Sequence, residues 1–240
     1  MYSVSVVDIQ YLKGECNMKI GDKTLEILRN FAEINPKISI NKGQLIKSIS
    51  AEQNVFGDAQ VKEKFPVDFA IYDLSEFLRA VGLFEEPEFD FQEDFVVISG
   101  DGNSVRYFYG NRQNIYIPKK EFKMPPTEIE LDISQGTWES LKRAAAVLHI
   151  YHLSLLGDGK NLSYFLHDAA IVSSANTYTI DDLAKSKIVC EMTVKIDSVN
   201  LIPGDYKVKI SGPDKVMRID VEGRDVSYTV GMEPDSSFEG

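Results

Sequence analysis

The second half of this 240-residue chain repeats the pattern of the first, and this repeat is the strongest constraint on its fold. Phe69–Phe84 predicts a strand that leads into a short helix opened by Asp73, and strand-like runs follow at 88–91, 95–98 and 105–109. Met192–Leu201 predicts the same strand and helix around Asp197, and runs follow again at 206–210, 216–221 and 226–232. A repeat of about half the chain indicates a duplicated domain, because solenoid units are much shorter.

Each half also predicts an earlier amphipathic helix. In the first half, Asp22 is a candidate N-cap, Leu25, Leu28 and Phe31 share one face, and Asn35-Pro36 ends the helix. In the second half, Ser134–Leu148 predicts the equivalent helix. The expected architecture is therefore α+β, with two similar domains that each contain two helices and an antiparallel sheet.

The domain boundaries follow from a stretch rich in proline and lysine. Residues 118–126 have little periodicity, and their prolines disfavour a regular helix or a central strand. We therefore predict an N-terminal extension at 1–17, a first domain at 18–117, a linker at 118–126 and a second domain at 127–240. Either Met18 is the true start of the protein, or residues 4–12 form an additional strand.

The charge and composition of the chain argue against several classes of protein. The net charge of −11 is shared by both halves, so any contact with nucleic acid must be local. No apolar run approaches the roughly 20 residues that span a bilayer. The N-terminus lacks a basic segment and a cleavage site, which argues against secretion. Cys16 and Cys190 are expected to be free thiols in a reducing cytosol.

Catalytic and metal-binding motifs find little support in the sequence. His149, His152 and His167 suggest a metal site, but neither an HExxH motif nor a cysteine pair accompanies them. The glycine-containing runs 157–160 and 100–103 lack the spacing of a P-loop and the closing glutamate of a calcium loop, so they predict hairpin turns. We expect no enzyme activity, no cofactor and no bound metal.

Four segments resemble the DNA polymerase sliding clamps, or processivity factors, of T-even-type bacteriophages. The likeness runs from Met18 to the C-terminus and is carried by the order and spacing of Leu25–Asn35, Asp68–Leu78, Pro203–Lys207 and Tyr228–Ser236. The resemblance implies a head-to-tail homotrimeric ring of six similar domains, with helices around a central hole for duplex DNA and sheets outside. The implied partners are duplex DNA, a DNA polymerase, a clamp loader and further copies of this chain, in the cytoplasm of an infected bacterial cell.

Cations on the ring-lining helices are the expected DNA contacts. A clamp must hold DNA weakly, and contacts to phosphates carry no sequence information. The candidates are Lys19, Lys23 and Arg29 on the first helix, Arg79 on the second, Lys142 and Arg143 on the third, and Lys195 beside the fourth. Asp22 stands near a position where the resemblance leads us to expect a lysine, and Glu26 and Glu33 accompany the cations, so the lining is not uniformly basic.

The resemblance also implies an apolar pocket for partner tails near the linker and the C-terminal strand. The candidate residues are Ile115, Ile117, Tyr228, Val230, Met232 and Pro234. The alternative to a clamp is an oligomeric scaffold protein with the same duplicated fold and no passage for DNA. A scaffold predicts no clustering of cations on the helices, so the placement of charge discriminates between the two.

Overall fold

The computed structural model describes residues 17–115, 122–168 and 176–239, and these form an α+β protein. The described helices are α1 (Asp22–Ile34), α2 (Leu74–Val81) and α3 (Gln135–Leu148). None of these helices is long and apolar enough to cross a membrane. The predicted extension falls outside the described residues except for Asn17. The predicted linker is described only at 122–126, where it has no regular secondary structure.

The strands of the two halves follow one another in matching order. The first half contains β1 (Asn17–Lys19), β2 (Ile38–Ile40), β3 (Gly43–Ile49), β4 (Val55–Phe65), β5 (Phe69–Ile71), β6 (Glu88–Phe91), β7 (Phe95–Gly100) and β8 (Asn103–Phe108). The second half contains β9 (Ile129–Ile133), β10 (His152–Asp158), β11 (Asn161–His167), β12 (Tyr178–Lys185), β13 (Val189–Lys195), β14 (Tyr206–Ser211), β15 (Val216–Val221), β16 (Val226–Gly231) and β17 (Ser237–Glu239).

The sheet topology contains the predicted repeat. The order β1-β6-β7-β8 in a four-stranded sheet matches β9-β14-β15-β16, which belongs to a six-stranded sheet. The pairs β4-β3 and β2-β5 match the order β12-β11-β10-β13 of a five-stranded sheet. Every one of these pairings is antiparallel. Among the described strands, β17 has no counterpart in the first half.

The first two helices begin and end for local reasons. Gly21, rather than the predicted Asp22, is the N-cap of α1, and Asp22 lies in the first turn, where a carboxylate complements the helix dipole. Asp73 is the N-cap of α2, as expected, because its carboxylate accepts a hydrogen bond of 2.8 Å from the Glu76 amide. Asn35 leaves helical geometry at the end of α1, just before Pro36.

The predicted fourth helix is wrong in its extent. Asp197 lies in a single 3-10 turn, Ile196–Ser198, where the first half has the eight-residue helix α2. The nearby Pro203 explains the difference, because it disfavours helical geometry at Ile202 and has no N–H to donate to the carbonyl of Val199. The repeat therefore keeps the position of this element but shortens it to one turn.

The two halves are joined by a continuous sheet. Strand β4 of the first half pairs with β16 of the second, from Val55 opposite Val230 to Ala59 opposite Val226. Gly57 lies opposite Tyr228, and a Cβ at Gly57 would stand 2.8 Å from the Phe31 ring. The absence of a side chain there lets α1 approach the sheet closely.

Tyr228 and Val230, both predicted to bind partners, are instead core residues of this junction, 0% and 2% exposed. The Tyr228 ring packs edge-on against Phe31, with 6.4 Å between ring centroids. Its hydroxyl donates to Asn30 Oδ1 at 2.7 Å and accepts from the Ile202 amide at 3.1 Å. Burial raises the pKa of the Tyr228 phenol, so the hydroxyl stays protonated. One hydroxyl therefore ties α1 to the second half.

We expect Tyr228→Phe to lower the free energy of unfolding by about 1–3 kcal/mol, because it leaves two polar groups at the junction without this partner. The control is Tyr109→Phe, since the Tyr109 hydroxyl is buried without a hydrogen-bond partner among the described residues. Its removal should be neutral or slightly stabilising. Urea unfolding of both variants at one protein concentration measures the difference. Equal losses would contradict a junction role for the hydroxyl.

Candidate nucleic-acid interface

The helices are linked into one layer that crosses the boundary between the halves. Helix α1 packs beside α2 within the first half. On its other side, the Asn30 side chain donates to the main-chain oxygen of Asn200 at 3.1 Å. The Asn200 side chain in turn accepts from Lys142 of α3 at 3.1 Å. The layer therefore runs from α2 through α1 and the 196–202 segment to α3.

Four of the predicted DNA contacts are exposed on this layer. They are Lys23 and Arg29 on α1, Arg79 on α2 and Arg143 on α3. None of these four side chains makes an ion pair or a hydrogen bond with another described residue. The neighbouring Glu26 forms an ion pair with Arg224 at 2.7 Å, which neutralises one of the acidic side chains of α1. Asp22 and Glu33 are exposed, so the surface of α1 carries both signs of charge.

Two further candidates lie outside the helices, beside carboxylates. Lys19 belongs to strand β1 rather than to the first helix, and its ammonium lies 2.8 Å from Glu86. That hydrogen-bonded ion pair raises the pKa of Lys19 and lowers the pKa of Glu86. Lys195 ends β13, just before the 3-10 turn, 4.0 Å from Glu233. Both cations are exposed, but part of their charge is balanced within the chain.

Lys142 is held inside the layer rather than presented to solvent. Its half-buried ammonium donates to the carbonyls of Ile196 at 3.0 Å and Val199 at 3.3 Å, and to the Asn200 side chain. Burial lowers the pKa of Lys142, partly offset by the nearby Asp197 carboxylate. The prediction that Lys142 contacts DNA is therefore replaced by an internal role, and Arg143 is the exposed cation on α3.

Little of the predicted partner surface is accessible. Ile115 is 8% exposed and follows a 3-10 turn, while Ile117 lies outside the described residues. Met232 is half-buried and packs against the core of the second half. Pro234 is exposed, and its carbonyl accepts a hydrogen bond from Lys215. Together with the burial of Tyr228 and Val230, these positions leave Pro234 and part of Met232 at the surface.

Several end strands of the sheets have a single neighbour among the described residues. Two of them are β8, which pairs with β7, and β12, which pairs with β11. Phe108 on β8 is 63% exposed. It is absent from the residues predicted from sequence, although the alternation along β8 places Phe108 on the same outward face as Ser104 and Arg106. Both strands have paired counterparts in the other half of the repeat, since β4 pairs with β16.

The residues that suggested a metal site, a P-loop or a calcium loop belong to ordinary secondary structure and side-chain contacts. His149 ends α3 in a left-handed conformation, whereas His152 and His167 face each other across β10 and β11, with 5.9 Å between ring centroids. Ser154 lies 2.8 Å from His167 Nε2. Across the described ranges, no three His, Cys, Asp or Glu side chains are grouped so that they could hold a metal ion. Residues 157–160 and 100–103 form hairpin turns, as predicted.

Comparison of the sequence with known proteins finds relatives among DNA polymerase processivity factors and sliding clamps. The family model for the DNA polymerase processivity factor matches residues 19–90. The sliding clamp of Vibrio phage KVP40 is 32% identical over 201 residues, which are 80% of this chain and 90% of that protein. The sliding clamp of Escherichia phage RB69 is 25% identical over 228 residues, which are 92% of this chain and 100% of that protein.

Solved structures share the fold at low sequence identity. The Helicobacter pylori β clamp bound to a DNA ligase peptide matches with a TM-score of 0.67 and 10% identity, over 90% of this chain and 64% of that chain. The PCNA of A. fulgidus with the C-terminal region of FEN-1 matches with a TM-score of 0.63 and 11% identity, over 92% and 98%. From the sequence match to the phage relatives, the chain belongs to the sliding clamps, the processivity factors of DNA polymerases.

Proposed function

We propose that three copies of this chain close head to tail into a ring around duplex DNA and tether a DNA polymerase to it. The single observation that carries the proposal is the junction between β4 and β16 inside the chain. In the repeat, β12 corresponds to β4 and β8 corresponds to β16. Pairing β8 of one chain with β12 of the next would therefore reproduce between chains the junction that already exists within one.

The two open edges are chemically complementary. Toward the core, β8 presents Val105 and Tyr107, and β12 presents Tyr178 and Ile180, all of them partly buried apolar side chains. On the outward side, β8 carries Arg106, whose guanidinium lies 4.7 Å from the centre of the Phe95 ring. Pairing of two such edges joins apolar to apolar side chains and satisfies exposed main-chain groups.

Opposite charge supports the same pairing. Strand β12 carries the exposed carboxylates Asp181 and Asp182, where β8 carries Arg106. Charged residues at an interface mainly set register and partner choice. The number three rests on the resemblance to the T-even-type clamps, since three chains of two similar halves give six similar ring segments.

The helical layer would face the DNA. Four exposed cations on three helices supply phosphate contacts without sequence preference, namely Lys23, Arg29, Arg79 and Arg143. The net charge of −11 would repel DNA from the rest of the surface. This clustering on the helices favours a clamp over the scaffold alternative. The protein would act without catalysis of its own, in the cytoplasm of an infected bacterial cell.

Protein partners would dock as peptides on the side of the ring near the linker. The H. pylori clamp was solved with a DNA ligase peptide and the A. fulgidus PCNA with the C-terminal region of FEN-1. For this chain we propose a DNA polymerase and a clamp loader as partners. The surface that remains from the predicted set is Met232 and Pro234, beside the C-terminal strand.

We expect purified protein to have about three times the mass of one chain by light scattering at micromolar concentration. Arg106→Glu and Asp181→Arg should each shift the protein toward monomer, because each places like charges at the proposed edge. The double variant should recover the trimer. Lys207→Glu is the control, since Lys207 is an exposed cation on β14, which pairs on both sides. A wild-type monomer would contradict the ring.

We expect Arg29→Gln and Arg143→Gln to weaken DNA binding, because each removes a cation that neutralises a phosphate. The slope of log affinity against log salt concentration should fall in magnitude by about 0.9 for each phosphate that is no longer neutralised. Lys207→Gln again serves as the control. Fluorescence anisotropy across a salt series gives the slopes, and primer extension with polymerase and loader gives product length. Unchanged slopes in both variants would contradict the prediction that these two arginines contact DNA phosphates.

A further inference from the structure

The segment 196–202 holds two helices together although it has almost no helical structure of its own. In the first half, the equivalent helix α2 spans eight residues and forms its own main-chain hydrogen bonds. In the second half only the three-residue turn Ile196–Ser198 remains. The Ile196 carbonyl keeps the Val199 amide as a donor at 3.3 Å. A buried carbonyl without a partner is costly, so the Val199 carbonyl needs a donor other than a helical amide.

Lys142 supplies that donor. In an α-helix the Val199 carbonyl would accept from residue 203, but Pro203 has no N–H. The Lys142 ammonium donates to that carbonyl, to the Ile196 carbonyl and to the Asn200 side chain. The residue at the same position of α1, counted from the helix start, is Arg29, which is exposed. Lys142 thus has its internal role in the half of the chain that lacks the helix, whereas Arg29 is exposed in the half that has it.

The same segment is also bound by α1 of the first half and by two tyrosines of the second half. Asn30 of α1 donates to the Asn200 main-chain oxygen, and the Tyr228 hydroxyl accepts from the Ile202 amide. The Tyr206 hydroxyl donates to the Ile202 carbonyl at 2.9 Å. The Lys142 ammonium forms no hydrogen bond with Ile202 or Tyr228 among the described residues, so we expect any effect of Lys142 on the Ile202 amide to pass through the segment.

We propose that Lys142 is a positioning residue that replaces the missing helical turns and fixes α3 to α1 across the boundary between the halves. Its ammonium holds the 196–202 segment on one side, and Asn30 and Tyr228 hold it on the other. Lys142 does not contact DNA, and the DNA contact on α3 belongs to Arg143. The role of Arg143 rests on the proposed clamp function, whereas the role of Lys142 in the segment does not.

The test compares Lys142→Met with Arg143→Met, two neighbouring substitutions that each remove one charge and keep an unbranched side chain. Lys142→Met should lower the midpoint of thermal unfolding by roughly 3–8 °C. It should also speed hydrogen exchange of the Val199 and Ile202 amides by about tenfold or more. DNA affinity should fall without a change in its salt slope. Arg143→Met should change only the affinity and the slope.

Variants of Asn200 give a second test if Lys142→Met folds poorly. Asn200→Ala removes one acceptor of the Lys142 ammonium and leaves the main-chain oxygen for Asn30, so it should speed exchange at Ile202 to a smaller extent. Asn200→Asp keeps an acceptor for the ammonium and should restore the wild-type exchange rate. Wild-type exchange in Asn200→Ala would overturn the proposal.

Two results for Lys142→Met would also overturn it. A lower salt slope with unchanged unfolding and exchange would make Lys142 a DNA contact. Faster exchange at Val199 alone, with Ile202 unchanged, would confine its effect to the part of the segment that Lys142 contacts. If the wild-type protein showed no salt-dependent DNA binding, the proposed clamp function would be contradicted. The measurements of thermal unfolding and hydrogen exchange would still decide the role of Lys142.

Discussion

The pairing of β4 with β16 is the interaction on which the rest of the structure depends. It turns two similar halves into one body with a shared six-stranded sheet. Strand β16 is paired on both sides, its side chains from Val226 to Val230 are buried, and Tyr228 donates a hydrogen bond to Asn30 of α1. The pairing also brings α1 beside the 196–202 segment, which is bound by Lys142 of α3 on its other side. The helical layer with its exposed cations is therefore a product of a main-chain contact between the halves.

The sequence predicted the repeat, the α+β class and the elements whose signals are local. Asp73 caps α2 and Asn35-Pro36 ends α1 because both effects act within a few residues. The Asp197 helix is shortened by Pro203, which is a local signal. The repeat nevertheless led us to predict a helix there like the one around Asp73. Phe108 could also have been found, from the alternation along β8. The domain boundaries at 117/118 and 126/127 remain predictions.

The site was harder to predict because its members are defined by contacts between distant segments. Nothing in the sequence around Lys142 indicates that three acceptors from residues 196–200 surround its ammonium. Likewise, Tyr228 and Val230 belong to β16, whose only described neighbour within the second half is β15. Its other neighbour, β4, comes from the distant first half of the chain. Residues that depended on helix position alone, such as Arg29 and Arg143, are exposed on the helical layer.

The proposed contact between chains gives the assembly a direction. It joins the β8 edge of the four-stranded sheet to the β12 edge of the five-stranded sheet, and these two edges differ in sequence. A contact between two different surfaces is heterologous, unlike the self-complementary contact of a two-fold dimer. An assembly built through these edges is polar. Its two faces are different surfaces, and every copy of a docking surface lies on the same face, so that proteins bound there all approach the DNA from one side.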